Sequence, residues 1–354
     1  SVLNYMSPEE LDVLLARAAA VGRARAAVRG DEDSQTTAPE SDTPPSKRYR
    51  FIRTLGRGGT SRVDLVSRVQ REGEELALKR IRVKCVNGQL EPLQVRQVLA
   101  ELHALEICSH PSIPRLTDAF RDKADGGVCL VMTVARGKDL MATFQERGKP
   151  FSQGEVMNWA RVLLESLEAI HSQGIVYVDI KPENIVLQED EEDGRLSLVD
   201  FGLCFVTPHR DSSSHASSVS CALMSEEVQR SMLLAGDDGP SFWGTAEYAA
   251  PEVIDGGVAA FSRASDFWSL GVLMYELLYG RTPFRGHSAE QTFNNIRMRG
   301  VQFPERDTRG REQPVVSMEV QQLIRGLLRQ KVEYRLGTAS RSELANHPAF
   351  RAAT

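Results

Sequence analysis

Paired cysteines are missing from this chain: Cys85, Cys108, Cys129, Cys204 and Cys221 are odd in number, widely spaced and free of any C-x-x-C pair. That excludes a disulfide framework and a zinc ribbon, and reduced thiols in an intracellular, by default cytoplasmic, location are the expectation. Long apolar runs are missing too. No segment approaches the roughly 18 residues of a membrane span, and no signal peptide is visible. A block of basic residues is the third absence. With a formal net charge of -5, the chain lacks the footprint of nucleic-acid binding, so nucleic acid is not an expected partner. What remains is 354 residues with 41% hydrophobic content, enough to fill the core of two modest domains or one large bilobal one.

Residues 7–29 read as a helix. Ser7 can cap it, Pro8 suits its first turn, Glu9 and Glu10 complement its dipole, and Leu11, Leu14, Leu15 and Ala18 share one face. Arg17, Arg23, Arg25 and Arg29 occupy the other face. Residues 1–29 are therefore read as an amphipathic helical extension, docked on the domain behind it or offered to a regulatory partner. Residues 30–48, rich in Asp, Glu, Ser, Thr and Pro, have the composition of a disordered acidic linker. From Tyr49 onward the pattern predicts strands over 49–66 and 75–83, a helix over 95–108 and a strand over 128–134. Helical periods follow over 153–172, 266–279 and 317–329. The expected class is α+β, with a sheet-rich first part and a mainly helical second part.

Between the first two strand-like runs lies Leu55-Gly56-Arg57-Gly58-Gly59-Thr60-Ser61-Arg62-Val63, a glycine-rich turn whose bare backbone suits phosphate oxygens. Alone it is as readily an ordinary hairpin. Ala77-Leu78-Lys79 on the next strand, followed a helix-sized interval later by Glu101, adds a cation and a carboxylate. The strongest pattern is Tyr177-Val178-Asp179-Ile180-Lys181-Pro182-Glu183-Asn184, followed by Val199-Asp200-Phe201-Gly202. Phosphoryl transfer asks for a positioned hydroxyl and for cations that neutralise developing charge. Asp179 suits the hydroxyl and its proton, Lys181 the γ-phosphate, and Asn184 with Asp200 supply oxygens for magnesium.

Taken in order, these motifs resemble the eukaryotic protein kinase domain from 49 to 350. Ala250-Pro251-Glu252, Asp266-Phe267-Trp268-Ser269-Leu270-Gly271 and Arg335, at the position that pairs with Glu252, complete the series. Within that family the chain is similar to the AGC group, through Phe242-Trp243-Gly244-Thr245-Ala246-Glu247-Tyr248 and Tyr334-Arg335-Leu336-Gly337. The stretch Tyr279-Gly280-Arg281-Thr282-Pro283-Phe284 is similar to the phototropin-like branch. The resemblance implies a bilobal protein-kinase fold with an antiparallel-sheet N-lobe over 49–135 and a larger helical C-lobe over 136–350. A long activation-segment insert covers about 205–241, and 351–354 form a tail stub. It implies transfer of the ATP γ-phosphate, with Mg2+, to Ser or Thr of protein substrates. Asp179, Lys181, Lys79 and Glu101 are then catalytic, and Asn184 and Asp200 bind metal.

The same resemblance places the nucleotide on Leu55, Gly56, Gly58, Gly59, Ser61 and Lys79. Val63, Ala77 and Val186 would sandwich the adenine, the Thr133 carbonyl and Ala135 amide would bond it, and Met132 is the gatekeeper. Asp139 and Glu183 border the nucleotide and, with Glu276, match carboxylates that meet arginines ahead of the acceptor in basophilic relatives. Leu105, Leu116, Tyr177 and Phe201 are expected to form the spine of the active state.

Three departures bear on control. Val178 stands where the family has an arginine that grips an activation-loop phosphate, and Phe205 and Gln97 stand at the other usual grips. Ser61 replaces a third glycine, and Ser61, Val178 and the long insert together also admit a pseudokinase scaffold or allosteric partner. AGC relatives continue into a tail past the position of Phe350, and the expectation is either that this tail is absent or that the N-terminal helix takes over part of its work. Ser241 occupies the usual phosphorylation position but lacks charge-assisted partners. Ser241→Ala is therefore expected to keep its activity within about tenfold, roughly 1.4 kcal/mol of barrier, in a peptide phosphorylation assay.

Overall fold

The computed structural model describes residues 6–28, 48–70, 73–189, 195–207, 245–305 and 315–351. Ser241, Phe242, Trp243, most of the insert and of the acidic linker, and residues 352–354 lie outside the described residues. The chain divides into two compact units, the first running to Ala135 and the second opening at Arg136.

Helix α1, Pro8–Val28, starts the first unit with the capping predicted for it. The Ser7 backbone N–H donates to Glu10 Oε2 at 2.8 Å, and the Glu10 N–H donates back to Ser7 Oγ at 3.2 Å. Strands β1 (Tyr49–Arg57), β2 (Ser61–Arg68) and β3 (Glu75–Ile81) follow. Next come a short hairpin, β4 (Cys85–Val86) with β5 (Gln89–Leu90), then helix α2 (Pro92–Ile107), β6 (Leu116–Arg121) and β7 (Val128–Thr133). The sheet is antiparallel in the order β1-β2-β3-β7-β6. The strand-like stretch over 49–66 is thus a hairpin that turns at its glycines. Glu91 starts α2 by accepting from the Leu93 and Gln94 amides at 3.2 and 2.9 Å, with Pro92 in the first turn.

Strand alternation separates the sheet's two faces. Tyr49, Val66, Leu76, Leu78, Cys129 and Val131 form one buried cluster with Phe120 against it. Val63 lies opposite Lys79, Ala77 opposite Met132, and Met132 opposite Leu116. Directly opposed residues share a face, so these five side chains belong to the other one.

The second unit opens with β8 (Gly137–Asp139), α3 (Leu140–Arg147) and α4 (Gln153–Ser172). Helix α4 begins with a capping box between Ser152 and Glu155 and buries Val156, Trp159, Leu163, Leu167 and Ile170 at helical spacing. The short strands β9 (Ile175–Val176), β10 (Ile185–Gln188), β11 (Leu196–Leu198) and β12 (Phe205–Val206) carry the central motifs. Helices α5 (Pro251–Gly256), α6 (Arg263–Tyr279), α7 (Ala289–Met298) and α8 (Met318–Leu327) follow, and α9 (Arg341–Ala345) and α10 (Pro348–Arg351) close the unit. Helix α6 is buried almost all round, as an interior helix must be to tolerate so few polar positions.

Buried Arg335 ties this helical unit together. Its Nη1 and Nη2 donate to Glu252 Oε1 and Oε2 at 2.6 and 2.8 Å, Nη1 also reaches the Ala264 carbonyl and Nε the Arg329 carbonyl. The guanidinium lies 5.2 Å over the Trp268 ring. Removing the cation leaves a partly buried carboxylate and two carbonyls without it, so Arg335→Met is expected to cost about 3–5 kcal/mol, measured by urea denaturation.

Candidate active site

In the first unit, Lys79 projects from β3 and its Nζ lies 2.7 Å from both Oε1 and Oε2 of Glu101 on α2. Both side chains are buried. Buried opposite charges persist only when paired, so α2 must stay in place for Lys79 to remain a cation. The β1-β2 hairpin closes through a Gly58 N–H to Ser61 carbonyl bond of 2.8 Å. None of Gly56, Gly58 and Gly59 has a left-handed φ, and a Cβ on Gly56 or Gly59 would meet nothing within 4 Å. Their contribution is uncovered backbone rather than an unusual turn. Ser61, too, has no positive φ, so serine is unstrained there. Leu55 is partly exposed beside the hairpin, and Thr133 and Ala135 are half-buried at the end of the unit. Thr133 is fixed by mutual backbone and hydroxyl bonds with Arg115. Leu105 and Leu116 are buried.

In the second unit, the segment Tyr177–Lys181 links β9 to a 3-10 turn at Pro182–Asn184. Asp179 and Asn184 are buried. Lys181 Nζ donates to Asp179 Oδ2 at 2.6 Å, and Asn184 Nδ2 donates to the same oxygen at 2.7 Å and to the Asp179 carbonyl at 2.9 Å. Both cationic and amide donors converge on Oδ2. Among the described residues, Asp179 Oδ1 takes neither of them and stays available to accept from a hydroxyl.

Val199 N–H bonds the Asn184 carbonyl at 2.9 Å, which brings exposed Asp200 beside Asn184. Asp200 has φ of 63° and accepts from the Gly202 N–H at 3.2 Å. With its amide nitrogen committed to Asp179, Asn184 keeps its amide oxygen for another partner. An amide oxygen next to a carboxylate is the hard-oxygen donor set magnesium prefers, so these residues fit the ion. Tyr177 and Phe201 meet edge to face with centroids 5.1 Å apart, and Tyr177 Oη donates to the Val199 carbonyl. Val186 pairs with Asp139 across β10 and β8, and Asp139 Oδ1 caps α3 by accepting from the Ala142 N–H at 2.7 Å.

The segment's conformation is imposed from α6. Asp266, fully buried, accepts from the Tyr177 N–H and the Val178 N–H, both at 2.8 Å, and its Oδ2 lies 2.7 Å from His171 Nε2. Val178 is thereby held at φ 74°, a left-handed backbone that a β-branched residue avoids and that costs about 1–3 kcal/mol. The sequence marked Asp266 only as the start of a helix. Its anchoring role spans almost ninety residues and leaves no local pattern.

Glu247 was also missed. The Tyr248 hydroxyl bonds the Glu276 carboxylate, and Thr282 Oγ1 donates to Glu247 Oε2. Burial pushes the Glu276 carboxyl up, and nearby Glu183 and Glu247 push it further. Arg285, largely exposed, lies 3.6 Å from Glu247. Phe205 pairs with Val176 and packs against Phe261 at 6.2 Å, and Phe261 lines a small cavity with Val178 and Asp179.

A family profile described as Protein kinase domain matches residues 49–350. Phototropin-1A of Oryza sativa subsp. japonica is 34% identical across 86% of this chain and 32% of its own length. Flippase kinase 1 of Saccharomyces cerevisiae is 31% identical across 86% of this chain and 32% of its own. RAC-beta serine/threonine-protein kinase A of Xenopus laevis is 30% identical across 82% and 50%. The chain spans about a third of the length of the phototropins it matches. No described helix is long and apolar enough to cross a membrane.

Removing the Asp266 carboxylate strands the buried Tyr177 N–H, worth about 1–3 kcal/mol, and the part-buried Val178 N–H. Asp266→Ala is expected to lower the melting temperature and to reduce kcat at least tenfold, checked by calorimetry and steady-state kinetics.

Proposed function

Because the chain belongs to the protein kinase domain family, we propose that it transfers the γ-phosphoryl group of ATP to Ser or Thr hydroxyls of protein substrates, with magnesium. The observation that carries this reading is the division of labour at Asp179. Lys181 and Asn184 occupy Oδ2, which orients the carboxylate and leaves Oδ1 to position the acceptor hydroxyl and take its proton as the new P–O bond forms. Asn184 and Asp200 hold magnesium, which supplies charge neutralisation on the phosphates. Lys79, fixed by Glu101, engages phosphate oxygens, and the bare backbone of Gly56, Gly58 and Gly59 approaches them. Val63, Ala77 and Met132, on the face that carries Lys79, border the adenine, as does the backbone of Thr133 and Ala135. A scaffold without activity would need no such oxygen set, and Ser61, one of the departures that admitted one, is unstrained.

The preferred acceptor carries basic residues on its N-terminal side. Glu183, Glu247 and Glu276 repel one another, and an arriving guanidinium relieves that repulsion with bidentate bonds. Asp139 contributes less to this preference than its sequence position suggested, since one of its oxygens is the α3 cap. Control does not run through an activation-loop phosphate: Val178, Phe205 and Phe261 present apolar surface where a phosphate would need cations.

The test is a radiolabelled-ATP assay with an arginine-containing peptide. Wild type should transfer label and Asp179→Asn should lose at least 100-fold in kcat, within the ~10²–10⁴ contribution of a general base. Glu247→Gln should raise the KM for the arginine peptide and not for its alanine analogue. Label transfer by Asp179→Asn at the wild-type rate would overturn the assignment.

A further inference from the structure

Resting on the reading of Lys79 and Glu101 as catalytic machinery, we propose that α1 is a strut for α2, with Met6, Asp12 and Gly22 acting as positioning residues for Glu101. Leu11 and Leu15 are 0% and 1% exposed, whereas Val13 on the far side is 60% exposed. The buried stripe packs on β6 and reaches α2.

The two helices are matched end to end. At one end, the Leu90 N–H donates to the Met6 carbonyl at 3.1 Å, and the next residue, Glu91, is the cap of α2. At the other, the positive charge of Arg25 acts on Cys108, the residue that terminates α2. At 1.5 Å per residue, the 21-residue α1 is about 31 Å long and the 16-residue α2 about 24 Å, so α1 can span α2 completely.

Between these ends α1 is held to β6 twice. Arg121 Nε and Nη2 donate to Asp12 Oδ1 and Oδ2 at 2.9 and 2.7 Å, a fork that fixes both position and rotation. Gly22 brings helix backbone onto strand backbone: a Cβ there would sit 2.7 Å from the Leu116 carbonyl oxygen. Leu116 lies opposite Met132 in the sheet. Arg23, exposed as expected, also reaches Asp118 at 3.4 Å, where Arg48 and Tyr49 bond. Glu101 sits in the middle of α2, and its two 2.7 Å contacts to Lys79 do not survive a shift of the helix by an ångström or two.

The experiment compares the full chain with Gly22→Val, Asp12→Arg and the exchange Asp12→Arg/Arg121→Asp. Hydrogen exchange over 92–107 and steady-state kinetics are read for each. Gly22→Val and Asp12→Arg should speed exchange across α2 by tenfold or more and lower kcat by a similar factor, with the peptide KM within twofold. The charge exchange should restore both. In a Glu101→Gln background, Gly22→Val should no longer change kcat.

Faster exchange confined to α1, or an equal kcat loss with and without Glu101, overturns the proposal. Asp12→Arg alters a partly exposed pair and keeps the test alive should Gly22→Val fail to fold. If wild type transfers no phosphate, the functional reading fails, while exchange over 92–107 still decides whether α1 steadies α2.

Discussion

A single buried carboxylate governs the geometry of the second unit. Asp266 faces two consecutive backbone N–H groups and a histidine, and it has no access to water to satisfy itself otherwise. A carboxyl group in such a place must be fully hydrogen-bonded, and the segment Tyr177–Val178 supplies donors at the expense of an unfavourable φ. Once that turn is made, Asp179 follows it in a fixed direction, and Lys181 and Asn184 converge on one of its oxygens. The strain at Val178 and the order at Asp179 are therefore two sides of one constraint.

The first unit has an analogous arrangement with a different vulnerability. Lys79 is anchored on a central strand paired on both sides, whereas its partner rides on a helix whose position depends on its neighbours. The stability of the ion pair is thus set less by Coulomb attraction than by whatever keeps α2 from moving. The second unit's anchor is covalently one helix; the first unit's is a packing relationship.

Much of the site was legible because its residues cluster in short segments. Asp179, Lys181 and Asn184 lie within six positions, and Asp200 follows the next hairpin, so contiguous motifs carry most of the chemistry. Lys79 and Glu101 are 22 residues apart and were connected by resemblance to a family, not by spacing. Glu247, Asp266 and Asp118 escaped because a carboxylate's partners at such separations leave no periodic trace. The helix over 7–29 was read correctly from its cap and apolar stripe. Periodicity reports that a face must be covered, yet not which strand covers it, so the seat on β6 was invisible. Arg23 is exposed as read, but its partner Asp118 was invisible for the same reason.

The glycines of the β1-β2 hairpin carry a quieter implication. Gly56 and Gly59 are neither in left-handed conformations nor crowded, so the fold itself is indifferent to a methyl group at either position. The backbone they leave bare is therefore room that the turn itself does not use. An added methyl group at either position would disturb a visitor on that backbone, not the host.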